Sequence, residues 1–199
     1  MREEMKLQLR FAQPEDAAVL LEIYRESIDT SITFEYTLPS EAEFAGRIAE
    51  ISACYPYLVL FDGGRAVAYA YAHRAQERAA YGWNAELSIY IARAHTGRGL
   101  GRLLYETLME LLRMQGVKSV YGAVTSPNPA SEALHEALGF HRAALFRDAG
   151  WKNGAWHDVI WFEREIAPHA GAPEQILPIG ALPEAQAVLR RCEAKISAE

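Results

Sequence analysis

Alternating polar and apolar residues at positions 86–91 predict a half-buried β-strand near the middle of the chain. On this two-residue period, Glu86, Ser88 and Tyr90 face one side of the sheet. The other side carries Leu87, Ile89 and Ile91. The strand therefore gathers a carboxylate, a hydroxyl and a phenol on one face.

A long amphipathic helix is predicted after a short turn. Its apolar stripe consists of Leu100, Leu104, Leu108 and Leu111, backed by Leu103 and Leu112, and Gly116 marks its end. In the turn, Gly97, Gly99 and Gly101 alternate with larger residues. Glycines leave backbone N–H groups uncovered at a helix N-terminus, where the helix dipole also attracts anions. The turn is thus predicted to bind a phosphate or a diphosphate.

Two common glycine-rich phosphate sites are excluded by the residues beside this turn. A P-loop requires Lys and then Ser or Thr after its last glycine, whereas Arg102 and Leu103 follow Gly101. The dinucleotide fingerprint that begins at Gly97 requires a sixth-position glycine, and Arg102 occupies that position.

The remaining pattern predicts six more strands and four more helices. The strand-like segments are 6–11, 57–61, 66–72, 117–124, 140–146 and 156–165. Helices begin at Gln13-Pro14, with an apolar stripe of Val19, Leu20, Ile23 and Tyr24, and at Ser40, where Glu43 completes a capping box. A short helix runs from Asn128-Pro129 to Gly139, and residues 183–196 form the fourth, with Ala185, Val188, Leu189 and Cys192 on one side.

Composition sets the domain organisation and the class of protein. We predict one domain at residues 1–166 and a tail at 167–199, because Pro, Gly and Ala become frequent from Pro168 onward. A net charge of −6 argues against nonspecific nucleic-acid binding. The sequence contains no membrane-spanning apolar run and no signal-peptide core, and Cys54 and Cys192 form no CxxC motif. We therefore expect a reduced, cytoplasmic protein with no nucleic-acid or membrane partner.

Two groups of residues leave more than one interpretation open. Asn128, Ser131 and His135 share one face of the short helix, but Asn128 is also a normal helix cap and His135 is equally consistent with a surface position. In the polar loop at 29–40, Phe34 and Tyr36 either plug the edge of the domain or form a wall of a substrate pocket.

The turn Thr96–Gly101 resembles the acyl-CoA-binding turn of the GNAT N-acetyltransferase superfamily, whose pattern is Gln or Arg, two residues, Gly, any residue, and Gly or Ala. Thr96 departs from that pattern at the first position. The stretches 78–86, 128–140 and Trp156-His157-Asp158-Val159 resemble one subgroup, the phosphinothricin and methionine sulfone or sulfoximine N-acetyltransferases. The resemblance spans roughly residues 5–166, and its three motifs occur in the family's order.

The resemblance implies an α+β fold in three layers, with a mixed central sheet flanked by helices, and acetyl-CoA as co-substrate. It implies that Glu86 is the general base for an α-ammonium group, and that His135 or Tyr90 protonates the CoA thiolate. A bulge in the central strand would expose N–H donors to the tetrahedral intermediate. The implied cofactor-binding residues are Ser88, Ile89, Tyr90, Ile91, Thr96, Gly97, Arg98, Gly99, Leu100, Gly101, Arg102, Asn128 and Ser131.

The resemblance also assigns substrate contacts to Phe34, Arg78 and Tyr81, and implies a homodimer. No metal is expected, because His157-Asp158 with His135 or His141 matches no standard ligand spacing. The leading hypothesis is N-acetylation of a small amino-acid analogue. Acetylation of a protein N-terminus or a polyamine stays open, although Arg78 favours an anionic substrate. A noncatalytic acyl-CoA-binding module is disfavoured by the presence of both Glu86 and His135.

Overall fold

A computed structural model describes residues 6–196 of the chain. Seven strands form one sheet in the order β1-β2-β3-β4-β5-β7-β6. The strands are β1 Leu7–Phe11, β2 Tyr57–Asp62, β3 Arg65–Arg74, β4 Asn84–Ile91, β5 Ser119–Ser126, β6 His141–Lys152 and β7 Ala155–Glu165. All neighbours pair antiparallel except β4 and β5, which are parallel. The prediction of a mixed sheet is confirmed.

Helices cover both faces of this sheet. They are α1 Ala17–Ile28, α2 Glu41–Ser52, α3 Leu100–Gln115, α4 Pro129–Ala137 and α5 Ala185–Ile196. One core cluster lies under α1 and α2, and a second lies under α3, with α5 and Leu138 after α4 contributing to it. The three predicted layers are therefore present, and within residues 6–196 no helix is long and apolar enough to cross a membrane.

The first helix corrects one detail of the predicted stripe. Val19 is 44% exposed, whereas Leu21 is buried beside Leu20, Ile23 and Tyr24. A 3₁₀ turn at Pro14–Asp16 precedes α1, so the regular helix begins later than Pro14. The prediction for Ser40 is confirmed, because its hydroxyl accepts from the Glu43 N–H and the Glu43 carboxylate accepts from the Ser40 N–H.

The C-terminal segment packs against the rest of the chain. Ala185, Val188, Leu189 and Cys192 are buried in the core cluster under α3, as their helical spacing predicted. The Gln115 side chain donates to the carbonyls of Cys54 (2.6 Å) and Leu177 (2.7 Å). The Glu193 carboxylate accepts from the N–H of Leu9 in β1. This segment therefore runs along α3 and returns to the edge of the sheet.

Candidate active site

A cleft opens where β4 and β5 stop pairing. The two strands are in register only at 84–86 of β4 and 119–121 of β5. Beyond Glu86 they separate and enclose a narrow cavity of about 70 Å³. Its lining comes from β4, β5, α3, α4 and the α1–α2 loop: Ile32, Leu87, Ser88, Ile89, Tyr90, Tyr105, Gly122, Ala123, Val124, Thr125, Asn128, Ser131 and His135.

The separation of the strands, and not a bulge, leaves backbone groups free in the cleft. β4 pairs with β3 in an unbroken register from Ala85 to Ile91, so the predicted bulge is wrong. The Ala92 N–H donates to Val67 O (2.9 Å), which makes the even-numbered residues of β4 the hydrogen-bonded partners of β3. The N–H groups of Ile89 and Ile91 therefore face the cleft, whereas those of Ser88 and Tyr90 face β3.

Glu86 lies at the point where the cleft begins. β4 is an interior strand and Glu86 is half-buried, which excludes a solvated acid on a sheet edge. Burial raises the pKa of the Glu86 carboxyl, and His73, its cross-strand neighbour on β3, opposes that shift. A carboxylate whose pKa is raised toward neutrality is suited to accept a proton.

His135 is buried and not on the surface of α4. Its ring is 1% exposed and stacks on Phe162 at 4.8 Å, with the ring of Tyr105 edge-on at 5.4 Å. Nδ1 lies 2.8 Å from the Ser131 carbonyl, which can only accept, so the neutral ring carries its proton on Nδ1. Nε2 is buried without a partner among the described residues. Burial lowers the pKa of His135, and the bond to Ser131 opposes this shift.

The glycine turn after β4 has the features of an anion site. Gly97 and Gly99 have positive φ angles of 72° and 80°, and nothing lies within 4 Å of a Cβ added at either. The first hydrogen bond of α3 runs from Leu103 N–H to Gly99 O (3.2 Å). The N–H groups of Leu100, Gly101 and Arg102 precede that bond, so they are available to a diphosphate.

The side chains of the turn are held by neighbouring elements. The Thr96 hydroxyl donates to Arg93 O (2.9 Å), and Arg98 lies 3.8 Å from the Asp62 carboxylate. Arg102 donates to Glu106 (3.2 Å) and to Ala137 O (3.3 Å) at the end of α4. A Cβ on Gly101 would lie 3.0 Å from Leu134 Cδ2, so this glycine is needed for the close approach of α3 to α4.

The start of α4 forms the other border of the cleft. The Asn128 side chain accepts from Ser131 N–H (3.2 Å), so its capping role is confirmed. Both residues also line the cavity, as does the His135 ring one turn later. The predicted polar face of α4 is thus directed at the cleft.

The α1–α2 loop is fastened to the β6–β7 hairpin. Phe34 packs on the bare α-carbon of Gly150, where an added Cβ would lie 2.4 Å from the ring. Lys152 is 3% exposed, and its Nζ donates to the carbonyls of Thr33 (2.5 Å) and Glu35 (2.8 Å). Tyr36 remains 67% exposed while its hydroxyl donates to the Trp151 carbonyl. Phe34 therefore fixes the loop whose Ile32 lines the cleft.

Arg78 and Tyr81 lie in the β3–β4 connection, where Arg78 precedes a 3₁₀ turn at Ala79–Tyr81. Tyr81 is 46% exposed, and neither residue is among the lining of the cleft. Their contact with the substrate stays a prediction. No group of three or more His, Cys, Asp or Glu residues able to hold a metal occurs in residues 6–196.

Sequence reasoning missed Tyr105 and Gly122. Tyr105 is fully buried in α3 and lines the cleft, and its hydroxyl lies 3.5 Å from the Leu87 carbonyl oxygen. The sequence feature that could have indicated Tyr105 is its position among the leucines of the α3 stripe. Gly122 lies directly opposite His135 Nε2, and an isolated glycine inside a strand pattern is a known sign of close approach.

Comparison with known proteins places this cleft in a family. Residues 9–161 match the profile of an acetyltransferase (GNAT) domain. The chain is 33% identical to the phosphinothricin N-acetyltransferase of Streptomyces viridochromogenes, over 89% of this chain and 97% of that one. It is 31% identical to the L-methionine sulfoximine/L-methionine sulfone acetyltransferase of Salmonella typhimurium, over 83% and 98%.

A solved structure agrees with these sequence comparisons. It is a GNAT superfamily phosphinothricin acetyltransferase from Sinorhizobium meliloti in complex with acetyl-CoA, with a TM-score of 0.82 and 36% identity over 87% of this chain and 96% of that one. The glycine turn fits the diphosphate of that co-substrate. The chain therefore belongs to the GNAT acetyltransferase family and uses acetyl-CoA as its acetyl donor.

Proposed function

We propose that this enzyme acetylates the α-amino group of a small amino-acid analogue of the phosphinothricin, methionine sulfone or methionine sulfoximine type. The observation that carries the proposal is the position of Glu86: a half-buried carboxylate of raised pKa where β4 and β5 begin to separate, with the anion-binding turn after the other end of β4. Relatives that act on these compounds match most of the chain.

The acetyl donor is bound along the cleft in this proposal. The N–H groups that begin α3, with Thr96, Gly97, Arg98, Gly99, Leu100, Gly101 and Arg102 around them, hold the diphosphate. The pantetheine arm follows Ile89 and Ile91 on one side, with Ser88 and Tyr90 beside them, and Asn128 and Ser131 on the other. The free N–H groups of Ile89 and Ile91 then stabilise the oxyanion that forms when the amine attacks the thioester.

Proton transfer is assigned to Glu86 and to one acid. Glu86 removes a proton from the substrate ammonium, directly or through water. The departing thiolate is protonated by His135 or by Tyr90. Because neutral His135 presents a bare Nε2, it acts as the acid only after it has taken up a proton. Burial raises the pKa of Tyr90 well above its usual value, so its hydroxyl keeps its proton at neutral pH.

The acceptor side of the site is formed in this proposal by the α1–α2 loop. Phe34 positions that loop, and Arg78 and Tyr81 contact the carboxylate or the phosphinate of the acceptor. Arginine suits such an oxyanion because its guanidinium donates two parallel hydrogen bonds.

We also propose a homodimer formed through β6. This strand is the edge of the sheet, and residues 141–149 are exposed on both faces. Large apolar side chains are exposed on the β6–β7 hairpin, where Phe146 is 53% exposed and Trp156 is 60% exposed. An exposed apolar edge strand in a single chain is a liability that a second copy would cover. The unpaired thiols of Cys54 and Cys192 support a cytoplasmic location.

A thiol-release assay tests the proposed function. Acetyl-CoA is incubated with the enzyme and with phosphinothricin, methionine sulfone, methionine sulfoximine, ordinary amino acids or spermidine. Release of free CoA thiol with the first three acceptors, well above that with spermidine, is the expected result. Turnover with spermidine alone would contradict the proposal.

A further inference from the structure

A second cavity lies next to Glu86 on the face of the sheet covered by α1 and α2. Its volume is about 340 Å³, within the range of small-molecule sites. Five tyrosines line it, namely Tyr24, Tyr57, Tyr69, Tyr71 and Tyr90, together with apolar groups of α2 and polar groups of β3, α2 and the α1–α2 loop. We name it the tyrosine cavity.

The tyrosine cavity borders the catalytic strand through its cross-strand neighbours. His73 lies opposite Glu86 and Tyr71 lies opposite Ser88, so the cavity wall continues from the β4 face that carries the base. Tyr57 lies opposite Tyr71 on the next strand. The row from Ser88 to Tyr57 spans two strand spacings, about 10 Å, which is comparable to the length of an extended amino acid.

The rings of Tyr57, Tyr69, Tyr71 and Tyr90 are stacked and stand on one face of the sheet, and the ring of Tyr24 from α1 meets Tyr90 edge-on. Tyr57 and Tyr71 are 4.8 Å apart at 22°, and Tyr69 and Tyr71 are 6.4 Å apart at 7°. Near-parallel rings on one face direct their hydroxyls away from the sheet, toward α1 and α2. The wall is therefore aromatic along the sheet, and α2 closes the far end with the apolar Phe44 and Ile51 beside the polar Arg47 and Glu50.

Two of these hydroxyls have no partner although their rings are buried. Tyr57 is 2% exposed and Tyr69 is 1% exposed, and no hydrogen bond between the described residues involves either hydroxyl. Neither hydroxyl is among the fully enclosed polar atoms that lack a partner, so both open onto the cavity. A tyrosine hydroxyl that opens onto a cavity can donate a hydrogen bond to a ligand bound there. Burial raises the pKa of both phenols, so they donate and do not accept as phenolates.

We propose that the tyrosine cavity binds the side chain of the acceptor amino acid, and that Tyr57 and Tyr69 donate hydrogen bonds to an oxygen at its tip. This inference rests on the proposed function and specifies its acceptor. A sulfone, sulfoximine or phosphinate group supplies acceptor oxygens at that position, whereas a thioether or an alkyl chain does not. Tyr57 and Tyr69 thus determine specificity and take no part in proton transfer.

The experiment compares L-methionine sulfone with L-methionine, which lacks only the two sulfone oxygens. Tyr57→Phe and Tyr69→Phe each remove one hydroxyl and keep the ring. We expect each to lower kcat/KM for the sulfone about tenfold, the value of one lost hydrogen bond, mainly through KM. The value for methionine should change less than about twofold, and KM for acetyl-CoA should not change.

Tyr55→Phe is the matched control. Its hydroxyl is fully enclosed and does not open onto the tyrosine cavity, and the ring belongs to the core cluster under α3. This variant should leave kcat/KM unchanged for both methionine sulfone and methionine. Equal losses for sulfone and methionine in Tyr57→Phe and Tyr69→Phe, or no loss at all, would overturn the inference while the proposed function stands. A wild-type enzyme that acetylates no amino acid would overturn the proposed function and, with it, this inference.

Discussion

His135 Nε2 faces the α-carbon of Gly122 so closely that a Cβ on Gly122 would lie 2.3 Å from it. The ring cannot retreat, since Phe162 stacks on its face and Tyr105 closes its edge. Gly122 therefore presents bare backbone to the His135 ring, and both residues line the cleft.

Gly122→Ala should displace the His135 ring. We expect a loss of about 1–3 kcal/mol in unfolding free energy, the usual cost of overpacking, together with reduced turnover. Urea denaturation and the thiol-release assay measure the two effects. Gly46→Ala in α2 is the control, because nothing lies within 4 Å of the added methyl group and helical alanine is favourable there. An unchanged stability of Gly122→Ala would show that the pocket is looser than described.

Glu86→Gln should lower turnover by about two to four powers of ten, because the amide cannot accept the proton of the substrate ammonium. Affinity for acetyl-CoA, measured by calorimetry, should stay nearly the same, since the glycine turn is untouched. Glu22→Gln, an exposed acid of α1, should have no effect on turnover. Wild-type turnover in Glu86→Gln would remove Glu86 from the mechanism.

The raised pKa of Glu86 also predicts how stability depends on pH. The folded state binds this proton more tightly than the unfolded state, so folding loses stability as the pH rises through the folded pKa. Glu86→Gln removes that penalty. Its melting temperature should exceed that of the wild type at pH 7–8, and the difference should shrink below about pH 4, near the unfolded pKa. A pH-independent difference would indicate that burial does not perturb this carboxyl.

Lys152→Met should weaken acceptor binding without affecting the acetyl donor. The change leaves the buried carbonyls of Thr33 and Glu35 without their donor, at a cost of about 1–3 kcal/mol. Because these residues lie in the loop that borders the cleft, KM for the amine should rise about tenfold or more, and KM for acetyl-CoA should not change. Lys118→Met is the control. Equal changes in both KM values would point to general unfolding instead.

Trp156→Glu should dissociate the proposed dimer. The charge would lie in an apolar contact between two copies, and light scattering after gel filtration should then give the mass of one chain. Leu177→Glu, which alters an exposed leucine in the C-terminal segment (48% against 60% for Trp156), should leave the mass unchanged. A wild-type protein that runs as a monomer at all concentrations would refute the dimer.

Local sequence patterns predicted the helices and strands because each of these elements buries one face. The alternation at 86–91 and the leucines of α3 were sufficient to place a strand, a turn and a helix around the cleft, and the buried side of α5 was also predicted. The errors concern features set by packing between elements. Val19 lies outside the buried stripe of α1, where Leu21 is buried instead. The cleft arises from the separation of β4 and β5, which no local pattern records.

The sequence identified candidate site residues only where they belong to a recognisable short motif, and their roles stay predictions. Asn128, Ser131, His135 and Glu86 followed from short motifs. Lys152 and the proposed specificity pair Tyr57 and Tyr69 were missed, because their neighbours lie on other elements of the fold. The burial of His135 was equally invisible, since Phe162 and Tyr105 come from β7 and α3.

The contact between Glu193 and Leu9 brings the two ends of the described chain together at β1. A short peptide joining the end of α5 to the start of β1 would therefore bridge a small gap, and new ends opened in the exposed β3–β4 connection near Gln76 would leave every strand pairing intact. The fold is thus suited to circular permutation, with the new termini far from the glycine turn.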